Sequence, residues 1–139
     1  MIDQITVFLE NSEGRLAQVC RTVADAGVNM LALTIADTSD YGVVRIVCDT
    51  PAKAKEALEA AGFRAILTKV VAVSVPNTPG GLADLLEAFD KLNLNIEYGY
   101  CFSFKGEKAI DVLKVHGAEQ AMEAIEAAGF ELIHPVDLA

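Results

Sequence analysis

Apolar and polar positions alternate along this chain with two periods, and the order of those periods repeats. Ile5-Thr6-Val7-Phe8-Leu9 reads as a strand, and a polar turn runs from Glu10 to Gly14. Leu16, Val19, Cys20 and Val23 then recur at i, i+3, i+4 and i+7, one face of a helix that Gly27 is placed to end. Met30 to Ala36 and Gly42 to Cys48 are β-type runs separated by Thr38-Ser39-Asp40, the pattern of a hairpin. Pro51 suits the first turn of a second helix. Its inner stripe is Ala54, Leu58 and Ala61, with Gly62 just past its end and Ala65-Ile66-Leu67 as a closing strand.

The same order follows from Val70. Val70 to Val75 is a strand, Thr78 a suitable helix N-cap and Pro79 a suitable first helical residue. Leu82, Leu85, Leu86, Phe89 and Leu92 form the inner stripe. Ile96 to Phe104 and Ala109 to Val115 predict a second hairpin. Ala118 to Ala128 predicts a helix with Ala121, Ile125 and Ala128 facing in, and Leu132-Ile133 closes the run.

The repetition extends to residue identity. Glu59-Ala60-Ala61-Gly62-Phe63 recurs as Glu126-Ala127-Ala128-Gly129-Phe130, 67 residues on, and Ala54, Glu56 and Ala57 match Ala121, Glu123 and Ala124. Asn11-Ser12-Glu13-Gly14-Arg15-Leu16-Ala17 aligns with Asn77-Thr78-Pro79-Gly80-Gly81-Leu82-Ala83 at an offset of 66, and Asn29-Met30 falls on Asn95-Ile96. The change of offset places a one-residue insertion near Lys105-Gly106. The chain is therefore expected to hold two copies, 1–68 and 69–139. Each is an α+β, ferredoxin-like βαββαβ unit: an antiparallel sheet with both helices on one face. The β-type sequence from Ala65 to Val75 has no linker, which predicts rigid coupling of the copies. Leu31, Leu33 and Ile35 alternate with Ala32, Thr34 and Ala36, so both sheet faces look apolar, which predicts further packing between the copies or between chains, a homodimer being the commonest solution.

With 53% apolar residues a core is available and disorder is excluded. Twenty acidic against eleven basic residues give a net charge of −9. That argues against nucleic acid and against anionic membranes as partners. No apolar run is long enough to span a membrane, and the first residues lack a basic region followed by an apolar one, so a cytoplasmic location is expected. Cys20, Cys48 and Cys101 are dispersed and odd in number, as core residues in a reducing compartment would be. His116 and His134 do not have zinc spacing, so no metal site and no cofactor are expected. The nucleophile-elbow, zincin, P-loop and dinucleotide-binding motifs are all missing, and no catalytic residue can be nominated.

The segments open to recognition chemistry are the two turns reading N-[ST]-[EP]-G-x-L. Glycine lets backbone approach a ligand closely. The helix N-terminus beyond it favours a carboxylate, and the Asn amide offers both a donor and an acceptor. That set suits an α-amino acid head group; a plain turn with a helix cap needs the same residues. Tyr98, Tyr100, Phe102 and Phe104, spaced by two, share one strand face. Core or interface packing is one use for them, and a pocket wall that includes Tyr98 is the other.

The turn, the following Gly-Val-Asn-Met or Leu-Asn-Leu-Asn-Ile, the hairpin and the Ala-Ala-Gly-Phe helix ending, twice in order, resemble the ACT domain over nearly the whole chain. The resemblance implies a regulatory amino-acid-binding protein that is not an enzyme, with ligand held at interfaces between units. By position it implicates Asn11, Ser12, Gly14, Arg15, Leu16, Asn29 and Met30, then Asn77, Thr78, Gly80, Gly81, Leu82, Asn95 and Ile96. The apolar neighbours favour an aliphatic or aromatic amino acid, and a protein partner would receive the signal. The alternative is a ligand-independent accessory subunit of a metabolic enzyme or a transcription regulator. Arg15 in one copy against Gly81 in the other predicts that the two sites are not equivalent.

Overall fold

Two apolar clusters organise the chain, and each copy of the repeat builds one. The computed structural model describes residues 1–10, 12–37, 41–103 and 108–139. The elements are β1 (Ile2–Glu10), α1 (Arg15–Asp25), β2 (Met30–Asp37), β3 (Tyr41–Cys48), α2 (Pro51–Ala60), β4 (Arg64–Pro76), α3 (Gly81–Lys91), β5 (Ile96–Ser103), β6 (Lys108–Val115), α4 (Ala118–Ala127) and β7 (Glu131–Leu132). A single 3-10 turn, Pro135–Leu138, follows. The expected turn Thr38-Ser39-Asp40, the insertion at Lys105-Gly106, and both Asn11 and Phe104 lie outside the described residues. Contacts divide the chain into Asp3–Thr68 with Leu138–Ala139, and Lys69–Asp137 with Met1–Ile2.

In the N-terminal unit the strand order is β2-β3-β1-β4. Ile5, Val7 and Leu9 of β1 and Val44, Ile46 and Cys48 of β3 share a face because side chains alternate along a strand. They meet Val19 and Val23 of α1 and Ala54 and Leu58 of α2. Leu58 is fully buried, worth about 1.5–3 kcal/mol relative to exposure. Burial also pushes the Cys48 thiol up to about 11. The C-terminal unit repeats this with β5-β6-β4-β7. There Val71, Val73, Val75, Leu113 and Val115 meet Leu85, Phe89, Ala121 and Ile125. The opposite sheet faces are buried too, at Gln4 and Thr6 in one unit and Ala72, Ser74, Ile110 and Val112 in the other.

The two strands expected at Ala65–Leu67 and Val70–Val75 are one continuous strand, β4, because no glycine or proline interrupts them. The closing strand is Glu131–Leu132, one residue earlier than the expected Leu132-Ile133, and pairs Val73 with Leu132 and Ser74 with Glu131. Elsewhere the copies match row by row. Val7–Val44–Ile35 in one unit corresponds to Val73–Asp111–Cys101 in the other. Both units shift register at the start of the second strand, between Met30 and Ala32 and between Ile96 and Tyr98.

The repeated Ala-Gly-Phe is a helix terminator. Gly62 N–H donates to Glu59 O and Phe63 N–H to Leu58 O; Gly129 and Phe130 do the same to Glu126 and Ile125. This is the Schellman arrangement, which satisfies carbonyls the helix leaves open. At the end of α3 the left-handed position is held by Asn93 (φ 54°), with Leu94 N–H donating back to Phe89 O.

Candidate functional site

The turn after β1 delivers a helix start without a side-chain cap. Gly14 takes φ 80°, a conformation that costs other residues strain, and α1 begins at the next residue. The first bond inside α1 runs from Gln18 N–H to Gly14 O, 3.1 Å. The N–H groups of Arg15, Leu16 and Ala17 therefore have no acceptor within the helix. In the second copy Gly80 takes φ 89° and α3 begins at Gly81, again without a side-chain cap. This corrects the expected start. Thr78 is not the N-cap and Pro79 is not helical, because the left-handed glycine delays the helix by two residues.

The N-terminal unit has a cleft of about 230 Å³ at this turn. That is below the ~300–1,000 Å³ of drug-sized pockets and suits a smaller ligand. Its apolar wall is Leu9, Leu16, Ile35 and Val44, with Gly42 beside them; its polar side is Glu10, Ser12 and Arg15. Ile35 is 51% exposed, a large apolar side chain left open to solvent. The Arg15 guanidinium lies over the Phe63 ring, 4.6 Å from its centroid, and Nη1 donates to Gln18 Oε1 at 2.9 Å. Arg15 Nε is closed to solvent and has no hydrogen-bond partner. A buried donor without an acceptor costs about 1–3 kcal/mol. Arg15 also lines the cleft, so an anionic ligand there would meet a cation already held in place by Phe63 and Gln18.

The remaining residues singled out by sequence are dispersed. Asn29 precedes β2 and Met30 begins it, whereas the cleft meets that strand at Ile35. Asn29 is held to Asp49, whose Oδ1 accepts its N–H at 3.1 Å. Met30 is part-buried against the apolar cluster. In the second unit Asn77, Thr78 and Gly80 are exposed, and Leu82 is 45% exposed. Gly81 is buried. A Cβ there would fall 2.3 Å from the Pro76 carbonyl oxygen, so no arginine can replace it as in the first copy. Asn95 is exposed, and Ile96 packs against the second cluster. Tyr98 is part-buried on the β5 face opposite exposed Gly99 and Cys101.

Sequence reasoning missed Leu9 and Glu10, which run straight into the turn, and Ile35, Gly42 and Val44, which only strand register brings to it. It also missed Asp111. This residue is 5% exposed, stands at the Val44 position of the repeat, and has an Oδ2 without a partner. Burial pushes its carboxyl above the usual range. The histidines are peripheral: His116 Nε2 lies 2.8 Å from Glu97 Oε1 at an exposed position. Among the described residues no cluster of His, Cys, Asp or Glu could hold a metal, and no helix is long and apolar enough to cross a membrane.

Paired ferredoxin-like units with left-handed glycine turns define a class, and comparison identifies it. A sequence model of the ACT domain pair matches residues 1–139, and the chain belongs to that family. Among curated proteins none matches. A solved structure from Bacteroides thetaiotaomicron is similar, with 34% identity over 98% of this chain and 94% of the other and a TM-score of 0.92. The regulatory subunit of aspartate kinase from Thermus thermophilus, in its ligand-free form, shares the fold at 24% identity. It covers 91% and 92% of the two chains with a TM-score of 0.67. The corresponding subunit from Thermus flavus gives 24% identity and 0.60, over 92% and 94%.

Proposed function

We propose that this protein is a non-catalytic regulatory protein whose N-terminal unit binds a free amino acid in the cleft at the β1–α1 turn. The observation that carries the reading is Arg15, the first residue of α1, which lines the cleft while its guanidinium is held over Phe63. The ligand carboxylate takes Arg15 and the α1 N–H groups, its ammonium takes Glu10, and an aliphatic or aromatic side chain lies on Leu9, Leu16, Ile35 and Val44. Family membership supports this role, as does likeness in fold to regulatory subunits of aspartate kinase. Asn29 and Met30 would reach such a ligand only from a second chain, which fits a cytoplasmic homodimer with ligand at the interface. Binding regulates by its differential affinity for two arrangements, passed to a protein partner.

The test is a thermal-shift scan against the twenty amino acids. A ligand at one hundred times its Kd adds about 2.7 kcal/mol of stability. One chemical class should shift the wild type, and Arg15→Ala should lose that shift while folding normally. A flat scan, or an undiminished response in Arg15→Ala, would sink the proposal.

A further inference from the structure

We propose that the C-terminal unit carries a separate site, centred on the Asp111 carboxylate, for a ligand bearing a primary ammonium group and needing no carboxylate. Three observations converge. The first is register. Asp111 pairs with Val73 on one side and Cys101 on the other, as Val44 pairs with Val7 and Ile35. Val44 and Ile35 are walls of the cleft in the first unit, so Asp111 stands where that unit has its apolar wall.

The second is the change of charge and bulk around that row. The first unit has a fixed cation, Arg15, and a neutral wall. The second has Gly81 in place of Arg15 and an anion in the wall. Val75 replaces Leu9 and Cys101 replaces Ile35, both reductions in volume. Gly81 is locked against the Pro76 carbonyl, so this unit cannot supply an arginine from that position. The third is the orphaned Oδ2, buried and without a partner. A carboxylate in that state costs more than a polar residue at the surface, and an ammonium donor would satisfy it with a charge-assisted bond. The raised affinity of Asp111 for a proton agrees with a carboxylate that lacks a cation.

The oxygen is closed to solvent in the ligand-free chain, so an ammonium reaches it only by displacing the side chains over it. The resulting pair forms out of water, where charge interactions are strong. This inference stands whether or not the first cleft binds an amino acid.

The probe is 1,5-diaminopentane, a diamine without a carboxylate, titrated calorimetrically into the full chain. Tetramethylammonium chloride at matched ionic strength controls for general attraction to an acidic protein. The wild type should bind the diamine and not the control. Asp111→Asn should weaken binding at least tenfold, and Arg15→Ala should leave it unchanged. Asp111→Val, the residue of the first copy, serves as a second variant in case asparagine disturbs the fold. No binding beyond the control, binding as tight as the wild type's in both Asp111 variants, or loss in Arg15→Ala would overturn the proposal. A flat amino-acid scan with diamine binding intact would fail the first cleft alone.

Discussion

Gly81→Ala sets two ordinary expectations against each other. Helix propensity favours alanine over glycine by about 1 kcal/mol in a helix interior. Packing opposes it, because the added Cβ falls 2.3 Å from the Pro76 oxygen and 3.4 Å from its carbonyl carbon, and real Cβ contacts are essentially never shorter than 3.0 Å. The obstacle is backbone, at the last residue of β4, whose neighbour Val75 belongs to the second cluster. Overpacking against fixed backbone sits at the upper end of the usual range, about 2–3 kcal/mol, so after a propensity gain of at most ~1 kcal/mol the net loss should be about 1–2 kcal/mol. For a chain of this size that lowers Tm by roughly 4–8 °C. Circular dichroism melts and urea titrations measure it directly. Arg15→Ala, at the equivalent place in α1, should lose the contact with Phe63, about 0.5–1 kcal/mol, and an exposed hydrogen bond to Gln18 that adds little. If Gly81→Ala melts at or above the wild type, the Pro76 approach is not what excludes a side chain, and the argued asymmetry of the two turns fails with it.

Further outcomes follow from single features. Asn93→Ala, at φ 54°, should lose about 1–2 kcal/mol while Asn93→Gly holds its stability; equal denaturation midpoints would show that the left-handed position is not strained. Asp111 has a raised carboxyl, so the folded state holds its proton more tightly than the unfolded one. Its stability is then complete below the usual carboxylate range and falls as pH rises through the raised value. The advantage of Asp111→Asn should accordingly grow from about pH 4 to pH 7, and a constant difference between urea midpoints would contradict this. In native protein, iodoacetamide should alkylate exposed Cys101 and spare buried Cys48, whose thiol sits at about 11; equal rates by mass spectrometry would refute the burial argument.

The repeat was legible because the two copies share what backbone geometry demands. Ala-Gly-Phe recurs where a helix must turn over, and Pro51 stands where a helix must start. The apolar periods then fixed the hairpins and the helix stripes. The start of α3 was misread because Thr78-Pro79 carries a strong capping signature, while the left-handed Gly80 decides the geometry. Asn93 escaped notice because asparagine at a helix end reads as loop. Ser12, Arg15 and Leu16 were legible as site residues since they are contiguous with the turn. Ile35 and Val44 were not, because only cross-strand register brings them there. Asp111 could have been found: it is the one charged residue between Ala109 and Leu113, and the repeat sets it on Val44.

The ladder rows keep one spacing through Ser103 and another from Lys108 onward, so the β5–β6 connection is one residue longer than the β2–β3 connection. Everywhere else in the ladders a slip by one residue would have turned a strand inside out. The connection between β5 and β6 is thus the growth point of this architecture. It is where an added epitope or reporter segment would be accommodated, at the end of the strands that carry Cys101 and Asp111.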